Sequence, residues 1–489
     1  MSGYSEGGAS LHKKTLKAWR PIHLSAKSDI DANLNLLRGR SASLIMNSAI
    51  GQAAIKSSLT GTISSGLKLF PRINAKDLQI SEDEARSWSR KVKREFELWS
   101  ATCDFYKRNN FNELQQIAYQ SYLMDGDCFC LFKRSPINLH NPYSLKLQLI
   151  EAQRVSNPHS ANSLGLEMRG ETEGSRIVNG IEVNREGQIE AIWISNRLYN
   201  EASIEGKLEW QRVKVFGEGG FQNVLHICKD SRIGQFRGEP YLAPVIETLK
   251  QISRFTEAEL SNAVNRAFFS IFFTQNLNSL QLQQILGESN VNDPCLDTDD
   301  YPVENGSVIA LPPGTNVETI DNSKTQSTFD AFTSSLLQQI AAGLNLPVEV
   351  LNKKFQNNYS ASRAALLQAS DEFRQRRDAF VQDFCQPVYR TFLTEAVASG
   401  RVKAKGYFAS PVMRLLWQKA DWFVEGNHLL DVTKEIEGAE RRIALGISTR
   451  QKEAAELCGT DFDDIANQLR EEEKLLVRKN QTEAVKQDV

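Results

Sequence analysis

Ile233-Gly-Gln-Phe-Arg-Gly-Glu-Pro-Tyr-Leu-Ala-Pro-Val-Ile246 is where the chain changes period. Just before it, Val224-Leu-His-Ile227 is a short β-type run, the last of a series. Within and after it, Leu242, Val245, Leu249 and Ile252 recur at the three- to four-residue interval of a helix with one apolar face. Pro240 follows Arg237-Gly238 where a first helical turn belongs, and there its missing N–H is one that a helix start leaves unpaired anyway. The switch separates an α+β first half from a mostly helical second half.

Upstream, Ser41 opens a helical text with Leu44, Ile45, Ile50, Ala53 and Ile55. Ser81-x-x-Glu84 is a capping box, and the helix it opens has Trp88, Val92, Phe96 and Trp99 on one face. A further helix begins near Asn112 and ends at Asp125-Gly126-Asp127. Short β-type runs follow at Cys128–Phe132, Leu145–Ile150, Ile181–Val183, Ile189–Ile194, Val213–Phe216 and Val224–Ile227, with Asn184-Arg185-Glu186-Gly187 as a hairpin signal. The spacing predicts a mostly antiparallel sheet. Residues 1–39 lack periodicity and read as a flexible basic arm carrying Lys13, Lys14, Lys17 and Arg20. No apolar core follows those charges, so the arm is not a secretory signal.

Downstream, residues 276–326 form a segment rich in Asn, Asp, Pro and Gly between two helical stretches. Phe329, Phe332, Leu336 and Ile340 make the next helical face, which stops at Gly343-Leu-Asn-Leu-Pro347. A long helix then carries Leu366, Phe373, Phe380 and Phe384, with Pro387 expected to kink it. The tail is a polar helical segment ending in the charge run Glu471-Glu-Glu-Lys474.

The 489 residues hold 41% hydrophobic and 24% charged side chains and a formal charge of −2, which excludes wholesale disorder and any global basic excess for nucleic acid. The most apolar stretch, Ala263–Phe273, is too short to span a bilayer and is broken by Asn265 and Arg266, so no membrane role is expected. Seven dispersed cysteines read as reduced thiols, and Cys128 with Cys130 lacks the second pair that a zinc site needs. There is no phosphate-binding G-x-x-x-x-G-K-[ST], no G-x-S-x-G and no H-E-x-x-H. Gly217-x-Gly219-Gly220 lacks the strand–helix context of a dinucleotide loop, and His226, at the end of a β run, reads as a structural histidine. The carboxylate cluster Asp297-x-Asp299-Asp300 suits a solvated or partner-facing turn better than a magnesium site. No enzyme chemistry, cofactor or metal is expected.

The stretch from Val224 to Ile246 resembles the portal proteins of tailed bacteriophages, lambda family. Leu149-Ile-Glu-Ala-Gln-Arg-Val155, Ser307-Val-Ile-Ala-Leu-Pro-Pro-Gly-Thr315, and Phe329–Pro347 followed by Asn358-Tyr-Ser-Ala-Ser-Arg-Ala-Ala-Leu366 agree with that family in order and spacing. The resemblance implies the phage portal fold of wing, stem, clip and crown. It also implies a homo-oligomeric ring, usually of twelve subunits, at one capsid vertex, assembled in the host bacterial cytoplasm and retained in the virion. Double-stranded DNA would pass through its channel without sequence reading. The terminase large subunit and head–tail connector proteins would dock to it, and major capsid or scaffold protein would surround it.

On that mapping residues 40–237 are the wing, 238–275 a stem helix, 276–326 the clip and 327–342 the second stem helix. Residues 343–359 become the tunnel loop, 360–420 the kinked wing helix with the segment after it, and 421–489 the crown. The clip would dock partners through Asp297, Asp299 and Asp300. The tunnel loop would meet DNA through Lys353, Lys354, Gln356, Asn357, Asn358 and Tyr359. Spacing alone reads Lys353-Lys354 as a solvated surface pair; the implied loop position turns it toward DNA. In a ring one channel lysine becomes about twelve cations, each steepening the salt dependence of binding, so a near-neutral chain suits DNA that must slide. Two alternatives from other classes are a metal-dependent DNA enzyme built on Asp297, Asp299 and Asp300, and a minor capsid or scaffold-like head protein without a channel.

Overall fold

The computed structural model describes residues 4, 8–158, 168–198, 207–268, 326–354, 359–424, 432–460 and 462–487. By internal contacts the chain forms two units, a larger one of Met1–Ala243 with Glu349–Val489 and a smaller one of Pro244–Val348.

In the larger unit regular structure begins earlier than the polar sequence suggests. A π-helical turn at Lys27–Asp31 leads into α1 (Leu34–Asn47), and Ala26, Ile30 and Leu34 are buried together. Arg232 ties this segment down through Asp29 at 2.5 Å and the Leu24 carbonyl at 2.6 Å. The expected arm therefore joins the body from about residue 26, because an apolar i, i+4, i+8 stripe survives among its polar neighbours. Ser48 caps α2 (Ala49–Thr62) by accepting the Gly51 N–H.

After β1 (Lys68–Pro71) and the short α3 (Ala75–Leu78) comes α4 (Glu82–Ser100), whose capping box between Ser81 and Glu84 is closed in both directions. A second box, Asn110 with Glu113, starts α5 (Phe111–Asp125). The strands follow: β2 (Asp127–Arg134), β3 (Leu145–Glu151), β4 (Met168–Arg169), β5 (Arg176–Val178), β6 (Ile181–Val183), β7 (Ile189–Ser195), β8 (Trp210–Lys214) and β9 (Val224–Cys228). They make a three-stranded sheet, β3-β2-β9, and a five-stranded meander from β4 to β8, all antiparallel. Phe129, Leu131, Ile150, Ile192, Ile194 and Val224 bury a core common to both sheets. The expected hairpin at Asn184–Gly187 joins β6 to β7, with Gly187 at φ +87°.

The smaller unit holds α6 (Ile246–Phe268) and α7 (Gln326–Gly343). They run antiparallel, since Phe255 packs against Phe329 and Phe332 while Val245 lies over Gly343, where a Cβ would come within 2.6 Å of it. Asn345, at φ +53°, then closes the C-terminus of α7: its N–H bonds the Ala342 carbonyl and the Leu346 N–H bonds that of Ala341.

The chain returns through α8 (Val348–Asn352) to α9 (Tyr359–Phe380) and α10 (Gln386–Ala398). The break expected at Pro387 takes the form of a π-helical turn, Val381–Cys385, which widens the helix just ahead of the residue that cannot donate to the carbonyl four positions back. Next come α11 (Pro411–Trp417) and β10 (Ala420–Phe423), which pairs antiparallel with β1. Helices α12 (Val432–Ala444), α13 (Arg450–Cys458) and α14 (Phe462–Gln487) complete the unit.

The core of the larger unit is aromatic. Phe96 lies 5.2 Å from Trp99 and Phe392, 5.4 Å from Phe111 and 5.9 Å from Trp422, so α4, α5, α10 and β10 converge on one ring. The Trp99 indole N–H is satisfied by the Leu145 carbonyl at 2.9 Å. Phe96→Ala empties the centre of this cluster and is expected to destabilise the protein by about 3–5 kcal/mol, measured as a lowered denaturant midpoint.

Candidate nucleic-acid interface and the buried ionic junction

The segment expected to face DNA is only partly a loop. Leu344, Leu346 and Leu351 are buried, α8 occupies its middle, and Ser57 Oγ bonds the Val350 carbonyl at 3.4 Å. Lys353 follows the end of α8 in the left-handed region at φ +54°, and Lys353 and Lys354 are both exposed. Tyr359 is the first residue of α9. Gln356, Asn357 and Asn358 lie outside the described residues, as do Asp297, Asp299 and Asp300 and nearly all of 276–326.

The densest chemistry of the described residues lies instead at the end of the stretch where the period changes. Asp127, the first residue of β2, is 0% exposed. Arg237 donates Nε–H to Asp127 Oδ2 at 2.6 Å and an Nη2 hydrogen to Oδ1 at 3.2 Å. Its other N–H bonds go to the carbonyls of Ala152, Val155 and Asn179, at 2.6, 2.8 and 2.6 Å, so its full donor set is used. Arg38, from α1, bonds Asp127 Oδ1 at 2.8 Å and the Asp125 carbonyl at 2.8 Å. One arginine thus ties the last link before the helical half to β2, to the turn after β3 and to the β5–β6 turn. The other ties in α1.

Glycine is required where these segments meet. A Cβ on Gly238 would fall 1.8 Å from the Gly126 carbonyl oxygen, and one on Gly126 would lie 2.4 Å from the Gly238 carbonyl. Gly126 also has φ +90° as the C-cap of α5, so the two backbones touch with no room for a side chain.

Burial opposes the Asp127 charge, but the guanidiniums of Arg237 and Arg38 outweigh it and hold the carboxyl well below the usual carboxylate range. Burial lowers Arg38 to about 10 against the pull of Asp127, so it stays charged at neutral pH. Asp125 behaves oppositely: burial, opposed by Arg38 and reinforced by Asp127, pushes it up to about 6, and its Oδ1 is buried without a partner.

Asp127, His226 and Cys228 also bring three potential ligand atoms within 4.8 Å of one another. The donor set does not fit a cation, because both Asp127 oxygens already accept guanidinium N–H bonds and a metal would sit beside two fixed positive charges. His226 instead places Nε2 3.3 Å from Asp127 Oδ2 and stacks on Phe129 with ring centres 4.3 Å apart, the structural role its position in a β run suggests. Gly217-x-Gly219-Gly220 forms the turn between β8 and β9, where the Gly217 N–H bonds the Phe221 carbonyl. Sequence reading missed Asp127 and Arg38 as site residues, although it singled out Asp125-Gly126-Asp127 as a helix end and Arg237-Gly238 within the deciding stretch.

Asp127→Asn removes the carboxylate charge that both buried guanidiniums pair with and is expected to cost about 3–5 kcal/mol, read as a loss of thermal stability at neutral pH. Asp125→Asn has the opposite sign. The folded carboxyl titrates near 6, above its ordinary 3.8, so ionising it costs stability that grows as pH rises through that window. The variant should match the parent near pH 4 and exceed it at pH 8, by up to about 3 kcal/mol for a shift of about two pH units. Melting curves across pH check both.

Among the described residues no helix is long and apolar enough to cross a membrane. Residues 12–377 match the family described as phage portal protein, lambda family. Portal protein B of Escherichia phage lambda is 24% identical over 493 aligned residues, covering 96% of this chain and 89% of that protein. The portal protein of Escherichia phage N15 is 24% identical over 491 aligned residues, covering 96% and 90%. Among solved structures, a chain in the virion of a native gene transfer agent particle aligns with a TM-score of 0.41 at 12% identity, covering 86% of this chain and 92% of that one. With most of its length matched, from residue 12 to residue 377, this chain belongs to the lambda family of phage portal proteins.

Proposed function

We propose that copies of this chain close into a ring of about twelve at one vertex of a viral head, the closed symmetry that a repeated subunit interface favours. Double-stranded DNA is packaged through the channel of that ring by a terminase, and later leaves by the same route. The observation that carries this reading is the family match over residues 12–377, reinforced by two portal proteins aligned along 96% of the chain. The role is structural rather than catalytic.

Two features support the way the parts divide. The antiparallel pair α6 and α7 gives a unit whose first and last residues lie side by side, as two stem helices would. Residues 276–326, between those helices in sequence, serve as the clip, with Asp297, Asp299 and Asp300 presented first to the terminase large subunit and then to the head–tail connector. The exposed Lys353 and Lys354 follow the buried Leu351 of α8, so a firm base presents two solvated cations. Repeated around a ring they touch phosphates without reading bases.

Heads assembled with the Lys353→Ala/Lys354→Ala chain test this. Rings should form normally while nuclease-protected, genome-length DNA falls several-fold or leaks from filled heads, more so as salt is varied. Heads lacking the chain should protect no DNA. Full packaging in its absence would overturn the portal reading, and normal packaging by the double variant would move the DNA contact elsewhere.

A further inference from the structure

We propose that the cleft between the 105–110 turn and the 135–141 hairpin tip receives an extended acidic segment of a partner protein. The cleft, about 830 Å³, is of the size that encloses a ligand. One wall is a turn fixed by Asp104, whose carboxylate accepts the backbone N–H groups of Tyr106 at 3.1 Å, Arg108 at 2.9 Å and Asn109 at 3.0 Å. That turn holds Phe105, Lys107 and Arg108 outward, with Lys107 in the left-handed region at φ +60°. The other wall is a hairpin tip closed by reciprocal backbone bonds between Asn138 and Asn141. Its Leu139 is 94% exposed.

The floor tells what should lie there. Lys146 is buried and its Nζ donates to the Thr102 carbonyl. Among the residues that line the cleft, Asn141 Oδ1 and Thr102 Oγ1 are buried without any hydrogen-bond partner, and Asn141 is only 9% exposed. A native fold rarely leaves such atoms unpaired; the Asn141 amide oxygen calls for an N–H donor, and the Thr102 hydroxyl can accept one as well as donate. The acids of the cleft are already engaged: Asp104 holds three amides, and Glu113 accepts the Asn110 N–H at 2.8 Å. Lys107 and Arg108 make no ion pair among the described residues, which leaves the rim positive.

An extended polypeptide meets all three demands at once. Its backbone N–H groups reach the floor acceptors, its carboxylates face Lys107 and Arg108, and an apolar side chain covers Leu139 and Phe105. A nucleic-acid strand would satisfy the rim, but its phosphates bring no N–H donor to Asn141 Oδ1 and no aliphatic side chain to Leu139. The cleft shares no residue with the channel assigned above.

Short random peptides displayed on a carrier are panned on the full-length protein. Those enriched are then measured by fluorescence anisotropy against the parent, Lys107→Glu/Arg108→Glu and Leu139→Ser chains. The expected peptides combine carboxylates with an apolar residue, and charge reversal weakens them at least about tenfold, with a smaller loss for Leu139→Ser. Four outcomes would each overturn the proposal: no enrichment, peptides without carboxylates, binding indifferent to charge reversal, or displacement by a single-stranded oligonucleotide. Loss of oligomer assembly in the charge-reversed chain, with its melting temperature unchanged, would assign the cleft to a neighbouring copy and also overturn it.

Discussion

A carboxylate with no access to solvent survives as a charge only if positive groups surround it, and Asp127 has two, Arg38 and Arg237. Much of the larger unit is arranged around that requirement. The two arginines come from chain segments far apart in sequence, and their remaining N–H groups take the carbonyls of the turns they meet. A buried ion pair of this kind is a weak source of net stability, because desolvation consumes most of the attraction. Its consequence is positional: removing one member strands the others, so β2, α1 and the Arg237-Gly238 link hold one mutual arrangement. The touching backbones of Gly126 and Gly238 reinforce it sterically. Arg237 stands a few residues before Ala243, where the larger unit ends and the chain enters the helical pair.

The parts of the fold legible in the sequence are those encoded by neighbours. The Ser81–Glu84 capping box, the Trp88–Trp99 stripe, the Asn184–Gly187 hairpin and the change of period after Ile227 all rest on spacings of a few residues, and each is found in place. Pro387 marks a break, but that the break is a π-helical turn depends on packing. Arg38 was lost in the arm because its meaning lies in Asp127, whose pairing is tertiary. Residues 343–359 become one loop only through the family resemblance, which assigns the tunnel loop there. The turn closed by Asn345 and the buried Leu351 needs contacts that spacing does not record.

The site expected from resemblance is legible only in part. Lys353 and Lys354 are exposed beyond the end of α8, as solvated residues and DNA-facing residues alike would be, so exposure alone does not choose between them. On the proposed reading, the setting is what turns them toward DNA. In a ring, a side chain of modest charge is multiplied by the subunit number, and a chain with 58 basic and 60 acidic side chains can present local cations without clamping the duplex. A protein that must let DNA of any sequence slide needs few contacts, all to phosphate, on a rigid frame. On that proposed reading, the buried junction fixes the frame of the larger unit, and the near-neutral composition suits few contacts.

The most direct test of this account is the mass and outline of the purified full-length protein, by native mass spectrometry with negative-stain imaging. The expected particle is a ring with an axial hole, near 660 kDa for about twelve copies of a 55.0 kDa chain. A stable monomer or small oligomer with no hole, persisting when the capsid and scaffold proteins of its own phage are supplied, would contradict it.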